Sequence, residues 1–288
     1  LDLRELLNEH GLAGSRLGFE GDCYGLSAFN GQRLLAALDR FATLEDASPL
    51  VSRVRLIKSN AEIAYVRKAA ELCDAAWQAA IDGTRPGVDE ADILADMHAV
   101  VYRGGGDGAA NEFIIGSGPG ALMCRYYTGR RKLQPTDQLT LEFAGSYRHY
   151  HAAMMQTIGI GKPPARQHDL WQAGTDALLA CEAALRPGNT IGDVFDAHVR
   201  VLDTAGLSNF RLNACGYSLG ATFAPIWMDG FMAYKDNPVI IQPGMVYFLH
   251  MIIFDDETGL AATPGRTSLV TASGGEVLSR SGLEFVIK

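Results

Sequence analysis

Apolar residues recur with the 3.6-residue period of an amphipathic helix in several segments of the chain. One such segment opens on Ser59, which together with Glu62 matches a capping box, and Arg85-Pro86-Gly87 ends it. A second runs from Asp89 to a stop at glycines 104–106. The pattern predicts helices over residues 1–10, 30–41, 59–81, 89–102, 167–184 and 192–204.

Short runs with strand-like composition lie between and after these helices. In residues 139–161, two apolar runs flank a turn predicted at Gly145-Ser146. Glu142 is the one acidic residue in this stretch, and its burial costs free energy unless it has a partner or a function. The alternative is an edge-strand glutamate that faces water. The predicted strands are residues 16–20, 112–116, 138–144, 152–159, 239–241, 245–254 and 267–271.

One sequence motif occurs twice. Arg85-Pro86-Gly87, followed by Asp92-Ile93, recurs 101 residues later as Arg186-Pro187-Gly188, followed by Asp193-Val194. Each copy separates a long predicted helix from a second helix, and each helix pair leads into a region of predicted strands. The agreement of motif and context predicts an internally duplicated architecture.

Composition restricts the class of protein. The chain has 288 residues, 48% of them hydrophobic and 20% charged, which is typical of a globular protein with a large core. Its net charge of −8 argues against nucleic-acid binding, and the absence of a long apolar run predicts no membrane span. Five scattered cysteines without metal-type spacing indicate reduced core thiols in a cytoplasmic protein.

The first 50 residues contain too few apolar positions to form a stable core by themselves. The chain also begins without a methionine. We therefore expect residues 1–50 to be the end of a small N-terminal α/β domain and residues 51–288 to form the main domain.

Six motifs occur in an order that is typical of one known superfamily. They are RLIKSNAE at 55–62, SGPGALMCR at 117–125, TLEFAGSYRHYHA at 140–152, ACGYSLG at 214–220, PGMV at 243–246 and SLVTASGGEVLS at 268–279. With the duplicated helix pairs, residues 51–288 resemble the superfamily of methionine aminopeptidase, prolidase and creatinase. The resemblance implies an α+β pita-bread fold with two helix-helix-sheet halves, preceded here by the N-terminal remnant.

The resemblance also implies where metal ligands would stand in a metallopeptidase of this superfamily, and most of them are missing. The five ligand positions, two Asp, one His and two Glu in the metallopeptidases, hold Glu142, Ala153, Tyr217, His250 and either Gly265 or Arg266. Two isolated ligands cannot hold a dinuclear centre. We therefore expect no metal and no other cofactor.

Within the superfamily, the segments NEFIIGSG, CRYYTGRR and LEFAGSYRHYHAAM resemble the metal-free ectoine hydrolases. That resemblance implies a hydrolase acting on a carbon–nitrogen bond other than a peptide bond, which opens the cyclic amidine of ectoine to N-acetyl-2,4-diaminobutyrate. It implies a homodimer whose partner is a small zwitterionic substrate. Two alternatives stay open: another metal-free hydrolase of a guanidino or cyclic amide compound, and a non-catalytic binding protein.

Three residues are the predicted catalytic groups. Glu142 would face the amidinium, either as the nucleophile or as an electrostatic clamp that also activates water. His250 would activate water or protonate the leaving nitrogen; the alternative is a hydrogen-bonded core histidine. Tyr217 would bind the substrate or orient His250, or would serve only in packing.

Three further residues are the predicted substrate-binding groups. Arg125 would clamp the ring carboxylate with its planar guanidinium, unless it forms a structural ion pair. Trp227 would stack on the amidinium, although its apolar loop, residues 225–234, fits a partner-subunit surface equally well. His151 shares a strand face with Ala153 by alternation, which predicts that it points into the same cavity.

Overall fold

The computed structural model describes residues 2–123 and 130–288, and its contacts divide the chain into two units, Leu1–Arg55 and Leu56–Lys288. In the first unit two strands pair in parallel, and a helix connects them along the chain. Its elements are α1 (Leu3–Glu9), β1 (Arg16–Phe19), α2 (Ala28–Leu38) and β2 (Thr43–Asp46), followed by α3 (Pro49–Leu56), which runs across the boundary. That this unit is the end of a longer N-terminal domain stays a prediction.

The second unit contains two helix pairs and a set of antiparallel strands. The helices are α4 (Asn60–Gly83), α5 (Glu90–Arg103), α6 (Ala165–Ala184) and α7 (Ile191–Thr204). The strands are β3 (Ile114–Ser117), β4 (Gln138–Tyr147), β5 (Tyr150–Gly159), β6 (Gly216–Ser218), β7 (Val246–His250), β8 (Ile253–Asp255), β9 (Leu260–Ala262), β10 (Gly265–Thr271) and β11 (Gly274–Val277). Among the described residues, none of the helices has the length and apolar character needed to cross a bilayer.

The repeated Arg-Pro-Gly motif makes the same turn in both halves. Gly87 and Gly188 have φ of +85° and +94°, in the left-handed region that favours glycine. Their amide groups donate to the carbonyls of Leu133 and Ile241, so each turn ties a helix pair to the strand region that follows. The second helices, α5 and α7, both have 14 residues. The predicted duplication is confirmed.

Six strands form one antiparallel sheet in the order β3-β4-β5-β10-β7-β6, and β11 pairs with β10. Helix α4 lies on one face of β4 and β5, while α6 packs on the other half of the sheet. The strand register places Glu142, Met155, Gly265 and His250 on the opposite, inner face. Tyr217 pairs with Phe248, two residues before His250, and therefore lies on the inner face as well.

The inner face is strongly curved. Strands β4 and β6 are separated by three intervening strands, which in a flat sheet would place them about 19 Å apart. The hydroxyl of Tyr217 on β6 nevertheless lies 3.1 Å from a carboxylate oxygen of Glu142 on β4. The sheet therefore wraps around the space that these two side chains share, and the predicted α+β pita-bread fold is confirmed.

Some predicted elements were wrong in detail. Residues 245–254 form two strands, β7 and β8, instead of one. Residues 239–241 form only an isolated bridge between Ile240 and Thr190.

The hairpin turn also lies elsewhere. Strand β4 continues through Gly145 to Tyr147, and the chain reverses at Arg148 and His149, whose positive φ values of 52° and 65° are those of a type I′ turn. Gly145 instead permits close packing. A Cβ atom there would clash with the carbonyl oxygen of Ala69 in α4 and lie 2.5 Å from the amide nitrogen of Cys73.

A buried histidine fixes the segment that follows β6. The ring of His151 accepts a hydrogen bond at Nε2 from the Ala110 amide, at 3.0 Å, and its Nδ1 lies 3.2 Å from the Thr222 hydroxyl. That hydroxyl also donates to the carbonyl of Trp227 at 3.3 Å. Because Nε2 accepts, Nδ1 carries the proton and the ring is neutral. Burial lowers the pKa of His151 to about 4.

Gly145→Ala should destabilise the second unit by about 3 kcal/mol, because the backbone of α4 cannot move away without disturbing its packing on β4. Urea denaturation measures the change. Gly83→Ala, in the last turn of α4, is the control: its Cβ would meet only ordinary contacts, so it should be neutral or slightly stabilising. Equal stability of the two variants would contradict the proposed role of Gly145.

The stability of the protein should fall as the pH drops below 6.5, because the unfolded chain then protonates His151 while the folded chain does not. Between pH 7 and pH 5 this group should cost about 2 kcal/mol of unfolding free energy. Urea titrations at both pH values should show a smaller loss in His151→Asn than in the wild type. His168→Asn, at an exposed position, should keep the wild-type loss, and an unchanged loss in His151→Asn would contradict the assignment.

Candidate functional site

Glu142 lies in the middle of β4 with only 7% of its surface exposed. Its neighbours across the sheet are Ile114 on β3 and Met155 on β5. The predicted alternative, an edge-strand glutamate facing water, is therefore wrong. The carboxylate instead belongs to the inner face of the curved sheet, where a buried charge needs polar partners.

A chain of hydrogen bonds holds that carboxylate. The indole nitrogen of Trp227 donates to the Tyr217 hydroxyl at 2.8 Å, and the hydroxyl donates to Glu142 Oε1 at 3.1 Å. The indole has only a donor, so the direction of the chain is determined and ends on an acceptor. The hydrogen bond from Tyr217 holds one oxygen of the Glu142 carboxylate in place.

Trp227 is 1% exposed, so its ring is packed against the protein instead of forming an open wall. What it contributes is the position of the Tyr217 hydroxyl, through the hydrogen bond from its indole nitrogen. The predicted stacking of Trp227 on a substrate stays a prediction, and its surroundings favour a positioning role.

His250 lies at the end of β7, beside Tyr217. The two ring centroids are 5.5 Å apart, and the backbone amide of His250 donates to the carbonyl of Cys215 at 3.0 Å. Gly265 on β10 pairs with His250, and a Cβ atom there would lie 3.0 Å from the Cα of His250. The structure thus brings Glu142, Tyr217 and His250 to one face.

The other two predicted binding residues are His151, which the structure describes, and Arg125. Both ring nitrogens of His151 have protein partners, so its geometry favours a role in holding Thr222 and the segment up to Trp227. Its role in substrate binding stays a prediction. Arg125 lies outside the described residues.

Thr222 is a residue that sequence reasoning missed. Its hydroxyl connects His151 with the backbone of Trp227 and so supports the residue that positions Tyr217. It lies 71 residues from His151 in sequence. No spacing rule links positions so far apart, so the sequence carried no signal for this contact.

The residues on the inner face do not fit a two-metal centre. Ala153 offers no ligand atom, and Tyr217 directs its hydroxyl hydrogen at Glu142. Gly265 has no side chain, while Arg266 points to the other side of the sheet and binds Glu182 on α6 with two hydrogen bonds of 2.7 and 2.9 Å. Within residues 2–123 and 130–288, the one group of three or more His, Cys, Asp or Glu side chains with metal-binding geometry lies elsewhere.

Comparisons with known proteins identify one family and several relatives of this chain. The model of metallopeptidase family M24 matches residues 64–272. The chain is 30% identical over 293 residues to the uncharacterized hydrolase/peptidase y4tL of Sinorhizobium fredii, a match covering 100% of this chain and 71% of the relative. It is 27% identical over 296 residues to the ectoine hydrolase of Halomonas elongata, covering 98% of this chain and 72% of that protein.

Solved structures agree on the fold. The X-Pro aminopeptidase of Thermotoga maritima superposes with a TM-score of 0.88 at 17% identity, covering 99% of this chain and 78% of that one. The prolidase of Pyrococcus furiosus gives 0.86 at 20% identity, covering 97% and 80%. The chain therefore belongs to metallopeptidase family M24 and is a hydrolase of that family with the pita-bread fold.

Proposed function

We propose that this protein is a metal-independent hydrolase that opens the cyclic amidine of ectoine. The 27% identity to an ectoine hydrolase over 98% of the chain supports the substrate. Other relatives are Xaa-Pro dipeptidases, such as that of Pyrococcus furiosus at 22% identity. The donor set on the inner face argues against their two-metal chemistry here.

The observation that carries the proposal is the hydrogen bond from Tyr217 to Glu142. A neutral hydroxyl stands where the metallopeptidases of the superfamily have a metal-binding histidine, and it points at the carboxylate. A buried carboxylate attracts a cation. The delocalised amidinium of ectoine supplies that charge together with an electrophilic carbon.

The proposed reaction consumes one water molecule. An oxygen atom is added to the amidinium carbon, one ring carbon–nitrogen bond breaks, and the leaving nitrogen takes a proton. In one version Glu142 attacks the carbon first, and water then releases the covalent intermediate. In the other, Glu142 holds the amidinium and acts as the general base for water.

The neighbours of Glu142 have matching proposed roles. His250 delivers a proton to the leaving nitrogen or takes one from water, because an imidazole can donate a proton at one nitrogen and accept one at the other. Tyr217 keeps Glu142 oriented and Trp227 keeps Tyr217 in place. Arg125 is proposed to bind the ring carboxylate. We further propose that the protein is a cytoplasmic homodimer.

Glu142→Gln should lower kcat/KM for ectoine about 1,000-fold, because the amide can neither attack carbon nor take a proton from water. Chromatography of N-acetyl-2,4-diaminobutyrate measures the rate. Glu112→Gln, at an exposed position, is the matched control and should keep wild-type activity. Mass spectrometry of the quenched reaction would detect a covalent adduct on Glu142 if the nucleophilic version holds.

Two results would contradict the proposal. Near-wild-type turnover by Glu142→Gln would exclude both roles of Glu142. Metal-dependent cleavage of an Xaa-Pro dipeptide, with no turnover of ectoine, would identify a peptidase instead.

Tyr217→Phe should lower both activity and stability, because Glu142 loses a donor and the buried Trp227 indole loses its acceptor. We expect a loss of about 1–2 kcal/mol in unfolding free energy, measured with urea, and roughly tenfold lower kcat. Tyr247→Phe is the matched control. Its buried hydroxyl has no hydrogen-bond partner among the described residues, so its removal should be neutral or stabilising. Equal effects of both changes would contradict the role given to Tyr217.

A further inference from the structure

Two cysteines and a histidine meet in the core of the second half, among residues that the proposed reaction does not use. Cys181 lies in the last turn of α6, His198 in α7, and Cys215 directly before β6. The two sulfur atoms and one ring nitrogen lie within 4.8 Å of one another. All three residues are buried.

The two ring nitrogens of His198 have surroundings that suit a metal ligand. Its Nδ1 lies 3.1 Å from the sulfur of Met251, and its buried Nε2 makes no hydrogen bond to any described residue. With Nδ1–H directed at the Met251 sulfur, a neutral imidazole keeps its lone pair at Nε2, as metal ligation requires.

The Cys181 thiol lies beside Cys215. Cys181 Sγ makes a weak contact of 3.4 Å with the Val194 carbonyl. Burial and the neighbouring Cys215 raise the pKa of the Cys181 thiol well above its usual value. A cation that binds these cysteines as thiolates has to displace the thiol protons.

We propose that Cys181, His198 and Cys215 form a buried binding site for a thiophilic metal ion, with the Met251 sulfur beside it. Binding exchanges two thiol protons for one ion, and both protons go to solvent. With Zn²⁺, two thiolates and a neutral imidazole give a site of zero net charge, which suits a buried location. Cu⁺ accepts the same soft donors but leaves one negative charge.

The spacing is close to what one ion needs. Two thiolates that bind the same Zn²⁺ at about 2.3 Å lie roughly 3.8 Å apart, so the cluster could close around an ion with small side-chain movements. Because every donor is buried, the ion would enter while the chain folds.

The ion would connect the second helix pair to the strands that carry the proposed catalytic groups. Cys215 is two residues before Tyr217, and its carbonyl accepts the backbone amide of His250. Met251 follows His250 directly. A metal bound here would stabilise β6 and β7 without touching the substrate, which makes it structural and leaves the proposed metal-free reaction intact.

The test measures metal in the full-length protein produced in minimal medium with Zn²⁺, Co²⁺ or Cu⁺ as the added ion. The wild type should carry about one Zn²⁺ per chain by elemental mass spectrometry. The double variant Cys181→Ala/Cys215→Ala should carry at least about tenfold less. Cys73→Ala, a buried cysteine in α4, is the matched control and should keep the metal. Protein grown with Co²⁺ should show thiolate-to-cobalt charge-transfer absorption, which needs no variant.

Each outcome decides the proposal. Zn²⁺ or Cu⁺ bound in a cysteine-dependent manner supports the site, and the preferred ion distinguishes the two charge states. Wild-type protein without metal and without the cobalt absorption would overturn it. Metal that persists in the double variant but is lost in Glu142→Gln would place the ion on the inner face, which overturns this site and the metal-free reaction together. Metal at the cysteines with no ectoine turnover would refute only the proposed function.

Discussion

The hydrogen bond between Tyr217 and Glu142 depends on the curvature of the sheet, and the arrangement of the inner face depends on that curvature as well. Three strands separate the two residues, so only a strongly curved sheet brings them together. Helix α4 packs on the outer face of β4 and β5, and the inner face carries Glu142, Tyr217 and His250. Trp227, held through His151 and Thr222, then determines where the Tyr217 hydroxyl lies.

Strand register places Gly265 and Arg266, the two candidates for the last expected ligand position, on opposite faces of the sheet. Gly265 occupies the inner face, and the next residue, Arg266, necessarily faces the helices, where Glu182 neutralises it. At the same time Tyr217 presents a proton to Glu142. Under the proposed function, Glu142 is the carboxylate that accepts an organic cation.

The two halves share an architecture but have different cores. In the first half, Gly145 lets α4 lie against β4. The second half contains the cluster of Cys181, His198 and Cys215 behind the strands that carry Tyr217 and His250. The two Arg-Pro-Gly turns are therefore equivalent in the two halves. The side chains between the helices and the sheet differ, so each half has its own packing.

The sequence by itself determined the helices, the duplication and the family, because caps, glycine turns and apolar periodicity act over a few residues. It also placed Glu142, Tyr217 and His250 among the candidate groups, through the motifs that carry them. Only the tertiary structure decided that Gly145 serves packing instead of a turn, that Trp227 positions Tyr217, and that two distant cysteines meet a histidine. Those features depend on sheet curvature and on contacts between residues far apart in the chain, which local patterns do not encode.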